Sequence, residues 1–333
     1  MGSKERFYVD IQSLSNGVTG SCHLCVVKFP DGKITRFIVD CGLFQGQNEE
    51  QDYNKSFPFK EDSIEFALIT HNHVDHIGRL PLLVKNGFQG NIYTTVDTST
   101  LMPLALMDSC KVLKDVSKRN GTAPLYQDTH VQQTLAKVIG IPYRTSISIT
   151  ENVQVTFFRN GHLLGAALIL VDISFPEFQS IHLLFTGDYN NKNYFFDVDS
   201  LPEEVFELPI TIIQESTYGT MDSTEICPCF EENLLANVNK GGTAVVPVFS
   251  LGRSQEILYI LKKMQDSGKL DVNVPIYFDG KLARRYTYLY LNRQLEIRED
   301  MLDFLPKNMG FVDGDMRATI LQDINPKIIV TTS

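Results

Sequence analysis

Apolar and polar residues alternate over residues 7–12, 21–29 and 34–39, which predicts three strands. Asn16-Gly17 and Pro30-Asp31-Gly32 separate them as turns, the second as a hairpin. The unbroken apolar run Phe66-Ala67-Leu68-Ile69 predicts a buried strand. Beyond it, residues 79–86 predict a short helix closed by Gly87, and residues 90–94 a strand. Apolar positions at helical spacing over 97–116 predict a helix capped by Asp97 or Thr98, with Lys118-Arg119-Asn120-Gly121 as a polar break after it. A second helix over 128–138 is expected to end at Gly140 and Pro142. Residues 152–158, 167–173 and 181–186 predict three further strands.

The pattern then changes to alternating strand and helix. Pro209-Ile210-Thr211-Ile212-Ile213-Gln214 predicts a buried strand, 224–239 a helix, 242–247 a strand and 251–265 a helix. Residues 274–278 predict a strand, 281–291 and 313–323 helices, and 327–331 a last strand. A chain of 333 residues has room for two domains, or for one large domain with an insertion.

Composition adds mainly exclusions. No apolar run approaches a membrane span, and no apolar h-region follows Met1-Gly2-Ser3-Lys4-Glu5-Arg6, so a cytoplasmic protein without a membrane partner is expected. The six cysteines are scattered and read as packed thiols. Cys22-His23-Leu24-Cys25 has zinc-like spacing but lies in a strand, where alternate side chains face opposite ways; Cys227-Pro228-Cys229 reads as a loop entering a helix. A net charge of −10 gives no support to a broad basic face for nucleic acid, yet leaves room for a small cationic site made of metals and a few arginines.

The candidate chemistry is concentrated where the buried strand ends, at Thr70-His71-Asn72-His73-Val74-Asp75-His76-Ile77-Gly78. Three of only seven histidines and one aspartate fall within six positions. Read as a loop, this stretch points His71 and His73 the same way for one ion, with Asp75 and His76 one step on for a second. Imidazole and carboxylate are ligands that zinc prefers, and two divalent ions about 3.5–4 Å apart clamp both oxygens of an in-line displacement. His130 and His182 read as surface or packing residues.

This His-x-His-x-Asp-His stretch resembles the signature of the metallo-β-lactamase superfamily. The resemblance extends to other strand ends. It implies that Asp40, in Asp40-Cys41-Gly42, supports the metal loop by hydrogen bonding. It also implies that His162, in Gly161-His162-Leu163, is a metal ligand, and that Asp188, after Gly187, is a carboxylate bridging two metals. The implied fold is an α/β αββα sandwich. Glu215-Ser216-Thr217-Tyr218-Gly219 resembles motif A of the β-CASP nucleases, whose acidic residue sits beside the metals. Residues 241–256 and Phe278-Asp279-Gly280-Lys281-Leu282-Ala283 are similar to signatures of the β-CASP cap. The resemblance therefore implies a metallo-β-lactamase domain over 1–218 and an α/β β-CASP cap, here incomplete, over 219–333. It is nearest the RNA-processing branch, which includes the cleavage-and-polyadenylation endonuclease and its bacterial and archaeal relatives.

That resemblance implies a ribonuclease acting on single-stranded RNA with two zinc ions, manganese being the alternative, and with a metal-held hydroxide attacking phosphorus. Asp75 would orient the nucleophile and Glu215 would share in proton transfer. Homodimers and RNA-processing complexes are the implied assemblies. Ser250, Arg253 and Ser254 open a helix after a strand and glycine turn, and read either as a phosphate site or as an ordinary packing joint. Arg284, Arg285 and Tyr286 read as a groove lining or as one solvated helix face. The family's two later histidines, motifs B and C, have no counterpart, since no histidine follows His182. The sequence is therefore expected to be a fragment of a longer protein. A small-ester or thioester hydrolase and a non-catalytic subunit of an RNA-processing complex stand as alternatives.

Overall fold

The computed structural model describes residues 7–15, 17–46, 53–217, 219, 229–292 and 295–332. The chain divides into two compact units, Met1–Asn193 with Asp197–Thr217, and Tyr194–Phe196 with Tyr218–Ser333.

The first unit carries, in order, β1 (Tyr8–Ser13), β2 (His23–Lys28), β3 (Ile34–Val39), β4 (Phe66–Leu68), α1 (Val74–Ile77), α2 (Leu80–Lys85), β5 (Asn91–Thr95), α3 (Val96–Asn120) and α4 (Asp128–Leu135). It continues with β6 (Val138–Ile141), β7 (Ile147–Thr150), β8 (Val153–Arg159), β9 (Ala167–Ile173), β10 (Ile181–Phe185), α5 (Glu203–Phe206) and β11 (Ile210–Ile213). One sheet runs β1-β2-β3-β4-β5-β6, antiparallel through β3 and parallel from β3 to β6. The other runs β11-β10-β9-β8-β7, antiparallel apart from the parallel β10–β11 edge.

The two-residue period of each strand sorts its side chains into layers. Phe37, Val39, Phe66 and Leu68 meet Val155, Phe157, Ile169, Val171, Leu183 and Phe185 between the sheets. The alternate residues Ile38, Ala67 and Ile92 face helix residues Leu80, Leu83, Met102, Leu106 and Val131. On the far side, Phe158, Leu170 and Leu184 pack with Val205 of α5. The result is helix on sheet on sheet on helix, the αββα sandwich. Cys22 belongs to the helix-side core and Cys25 to the inter-sheet core, so the Cys-x-x-Cys pair is split across one strand.

Several boundaries differ from expectation. Helix α3 starts at Val96, and its cap is Thr95, whose hydroxyl accepts the Thr98 N–H at 3.1 Å. It runs through the expected break to Asn120 and stops at Gly121, in the left-handed conformation. Helix α4 ends at Leu135, and the next residues become β6, paired parallel to β5. Neither β6 nor β7 was anticipated.

The second unit contains α6 (Phe230–Asn239), β12 (Thr243–Val248), α7 (Arg253–Asp266), β13 (Ile276–Asp279), α8 (Lys281–Leu291), β14 (Met309–Phe311), α9 (Met316–Gln322) and β15 (Lys327–Thr332). Its sheet is wholly parallel in the order β12-β15-β13-β14, each connection passing through a helix. Phe195 of the short Tyr194–Phe196 segment sits edge-on to Tyr290 and Phe304 in its core. Tyr286 is buried rather than groove-lining, and Arg284 lies over the Phe311 ring at 4.9 Å. The start of the expected 224–239 helix, and Cys227 and Pro228, lie outside the described residues; Cys229 is disulfide-bonded, contrary to the expected free thiol. Among the described residues, no helix is long and apolar enough to cross a membrane.

Candidate metal centre

The centre forms where strands of both sheets end. After β4, Thr70 ties the sheets together: its N–H donates to Asp40 Oδ1 at 2.8 Å and its carbonyl accepts from Ala167 N–H at 2.9 Å. His71 and His73 follow, and His73, in extended backbone, then opens α1, so the second half of the motif is a helical turn and not a loop. The His76 and Ile77 N–H groups both donate to the His73 carbonyl. The α1 carbonyls are in turn fastened to the segment after Asp40, with Cys41 N–H on His76 O at 2.7 Å and Leu43 N–H on Val74 O at 3.0 Å. Gly42 is what lets the two backbones come this close, since a Cβ there would lie 1.5 Å from the Asp75 carbonyl oxygen.

Four side chains converge. His73 Nδ1 lies 3.2 Å from His71 Nε2 and 3.1 Å from His162 Nε2. Asp188 Oδ2 is 3.9 Å from His71 Nε2 and 3.7 Å from His162 Nε2. All four ligand atoms lie within 4.8 Å of one another. Tetrahedral ligands at zinc–nitrogen bond lengths stand about 3.3 Å apart, so this donor set fits a divalent ion. The other oxygen of Asp188, Oδ1, faces His76 Nε2 at 3.4 Å. Asp188 thus turns one oxygen to each of two places. Asp75 lies outside the converging four. Burial raises its pKa, the His76 field opposes this, and Asp188 adds to it.

Asp40 decides which nitrogens point inward. It is buried, holds a left-handed φ of 60°, and receives His76 Nδ1–H at 2.7 Å and the Thr70 hydroxyl at 2.9 Å. Thr70 Oγ1, its hydrogen given to Asp40, accepts from His71 Nδ1–H at 3.0 Å. Both histidines therefore keep their Nε2 lone pairs facing the centre. Burial pushes the His71 pKa well down, with the neighbouring histidines adding to the effect, so His71 is neutral and ligand-ready. For His76, burial would lower the pKa, but Asp40 and Asp188 outweigh it and raise it well above the usual value. Asp188 is the reciprocal case: burial raises it, and His76 with the other histidines brings it down to about 2.

Glu215 follows β11. Its N–H donates to Thr186 Oγ1 at 3.1 Å, and its carboxylate accepts from Tyr189 N–H at 3.3 Å and Thr217 N–H at 3.1 Å. It shares a cavity of about 210 Å³ with Asp40, Thr70, His76 and Asp188. Asn160, overlooked in the sequence, joins two ligands: its Oδ1 accepts from His162 N–H at 3.0 Å and its Nδ2 donates to the Asp188 carbonyl at 3.0 Å. Its one sequence clue is a polar residue at a strand end directly before Gly161-His162.

The proposed phosphate residues lie in the second unit. Ser254 is buried and donates to the Ser250 carbonyl at 2.9 Å; the Gly252 N–H is taken by Gln255 Oε1 at 2.8 Å, and Arg253 pairs with Glu256 at 2.6 Å. The Ser254 hydroxyl is thus engaged inside the strand–turn–helix joint. His130 caps its own helix through Gln127, and His182 pairs with Asp172 across two strands.

A sandwich with histidines and aspartates gathered at its strand ends defines a metal-binding α/β fold. Residues 25–139 match the metallo-β-lactamase superfamily. The chain is 32% identical over 319 residues to the transcription termination factor FttA of Methanosarcina mazei, covering 90% of this chain and 48% of the relative. A ribonuclease of Thermus thermophilus is 29% identical over 313 residues, covering 93% and 63%. Cleavage and polyadenylation specificity factor subunit 3-II of Arabidopsis thaliana is 32% identical over 278 residues, covering 80% and 43%. The chain spans about half the length of these relatives. It belongs to the metallo-β-lactamase superfamily and, within it, to the β-CASP group.

Proposed function

We propose that the protein is a zinc-dependent ribonuclease that hydrolyses phosphodiester bonds of single-stranded RNA in the cytoplasm, residues 1–218 forming the hydrolase domain and 219–333 part of the cap. The observation that carries this is the convergence of His71, His73 and His162 on one oxygen of Asp188 while His76 faces the other. The names of two relatives, a ribonuclease and a cleavage and polyadenylation factor, support RNA as substrate. His71, His73, His162 and Asp188 would hold one ion, and His76, Asp75 and Asp188 the second. When bound, such ions acidify water and neutralise charge on phosphoryl oxygens. Asp188 would offer one carboxylate oxygen to each ion, its negative charge offsetting their repulsion. Asp40 orients His76 directly and His71 through Thr70. Asp75 helps orient the attacking water. Glu215, fixed by two backbone N–H groups in the same cavity, takes part in proton transfer as water displaces the leaving oxygen in line.

The test sets single-stranded RNA and a thioester side by side, with chelator-treated protein resupplied with zinc or manganese. Metal-dependent RNA cleavage that His73→Ala abolishes is the expected result. Thioester hydrolysis without RNA cleavage, or RNA cleavage unchanged in His73→Ala, overturns the reading.

A further inference from the structure

Tyr189 follows Asp188 directly and is 43% exposed, although its hydroxyl, its N–H and both flanking carbonyls each hold a hydrogen bond. Gln214 Nε2 donates to its hydroxyl at 3.1 Å, and its own N–H donates to Glu215 Oε1 at 3.3 Å. The carbonyl before it, of Asp188, accepts from Asn160 Nδ2 at 3.0 Å; the carbonyl after it, of Asn190, accepts from Gly161 N–H at 2.7 Å. Strands β10 and β11 run parallel with Phe185 opposite Ile213, so Asp188-Tyr189 and Gln214-Glu215 emerge side by side at the same sheet edge. The ring is thus tethered at the hydroxyl and at the backbone, on the residue next to Asp188.

We propose that Tyr189 is a stacking platform for a base flanking the scissile phosphate. An aromatic ring offers a base its face, and a ring already held in place loses little freedom when a ligand covers it. Every base has a π-face, so the contact favours unpaired nucleotides without selecting sequence. A base in a duplex already has stacked neighbours, which makes single-stranded RNA the fitting occupant. This inference rests on RNA being the substrate.

The test is fluorescence anisotropy of labelled single-stranded RNA, run with an intact strand and with strands abasic at each position in turn. The wild-type protein is expected to lose affinity on the order of tenfold at one abasic position. Tyr189→Leu should bind intact RNA on the order of tenfold more weakly and be indifferent to that same abasic site, while Tyr189→Phe, which keeps the ring but not the bond to Gln214, stays sensitive to that site. Wild-type binding that no abasic position weakens overturns the platform, as does Tyr189→Leu binding with undiminished affinity or unchanged abasic sensitivity. These outcomes leave the ribonuclease reading standing. Wild-type protein that binds no RNA removes both. The abasic scan of the wild type is decisive even if Tyr189→Leu fails to fold.

Discussion

Replacing Asp40 with Asn keeps size and shape but changes which nitrogen of His76 carries the proton. In the native site one carboxylate accepts the Thr70 N–H, the Thr70 hydroxyl and His76 Nδ1–H. An amide has a single oxygen. If that oxygen stays on the Thr70 N–H, the NH₂ faces His76 Nδ1 and can only donate to it. The proton of neutral His76 then moves to Nε2, the nitrogen 3.4 Å from Asp188 Oδ1, and the lone pair that an ion needs is lost. Partners that orient ligands in this way typically govern 10–100-fold in metal affinity, about 1.4–2.8 kcal/mol. The loss should be selective. Thr70 still finds an oxygen acceptor and still accepts from His71, so the His71–His73–His162 position keeps its affinity. Competition titration with a chromophoric chelator resolves the two binding events. The expected result is one unchanged ion and one weakened about 10–100-fold. Two ions bound with wild-type affinity would refute the tautomer argument, and equal weakening of both would refute its selectivity.

Particular contacts elsewhere carry their own consequences. Gly42→Ala forces a Cβ onto the Asp75 carbonyl, 1.5 Å away, and should cost about 1–3 kcal/mol in chemical denaturation; a change below about 0.5 kcal/mol would contradict the close approach. Asp97 is buried, and burial raises its pKa from 3.8 to about 6 against the opposing pull of Arg159. Its protonated form thus favours the folded state fully below about pH 4, and that advantage is lost as pH rises through about 6. Asp97→Asn has no such proton, so between pH 4 and 7 its stability should gain on the wild type by up to about 3 kcal/mol; parallel stability–pH curves would contradict this. Ser254→Ala should lower stability by about 1 kcal/mol through the lost bond to Ser250 and leave RNA affinity unchanged; a drop in RNA affinity with unchanged stability would restore a phosphate role to Ser254.

The His71–His76 cluster was legible because three histidines and an aspartate crowd one short stretch directly after an apolar run, whereas Asp40, His162 and Asp188 stood out only through the resemblance to the metallo-β-lactamase superfamily. Such crowding survives in a single sequence because it is local. The helical turn of α1 was not legible, since four residues are too short for helical periodicity, and its stability comes from carbonyls tied to the Cys41–Leu43 backbone. Thr70 and Asn160 were missed for a different reason. Both are uncharged, and what they do depends on partners brought close only by folding, with Asn160 reaching residues 26 and 28 positions away. Strand β6 was hidden because Val138-Ile139-Gly140-Ile141 follows a helix, and pairing with β5 decides its conformation. For Ser254 the sequence leaves a phosphate site and a packing joint open, because the partner its hydroxyl takes, the Ser250 carbonyl in the same turn, is set by the folded backbone.

The most direct measurement is anomalous diffraction at the zinc edge from crystals grown with zinc. Two peaks about 3.5–4 Å apart are expected, one among His71 Nε2, His73 Nδ1 and His162 Nε2, the other beside His76 Nε2 and the Oδ1 side of Asp188. Absence of both peaks, or zinc bound away from these residues, would contradict this placement.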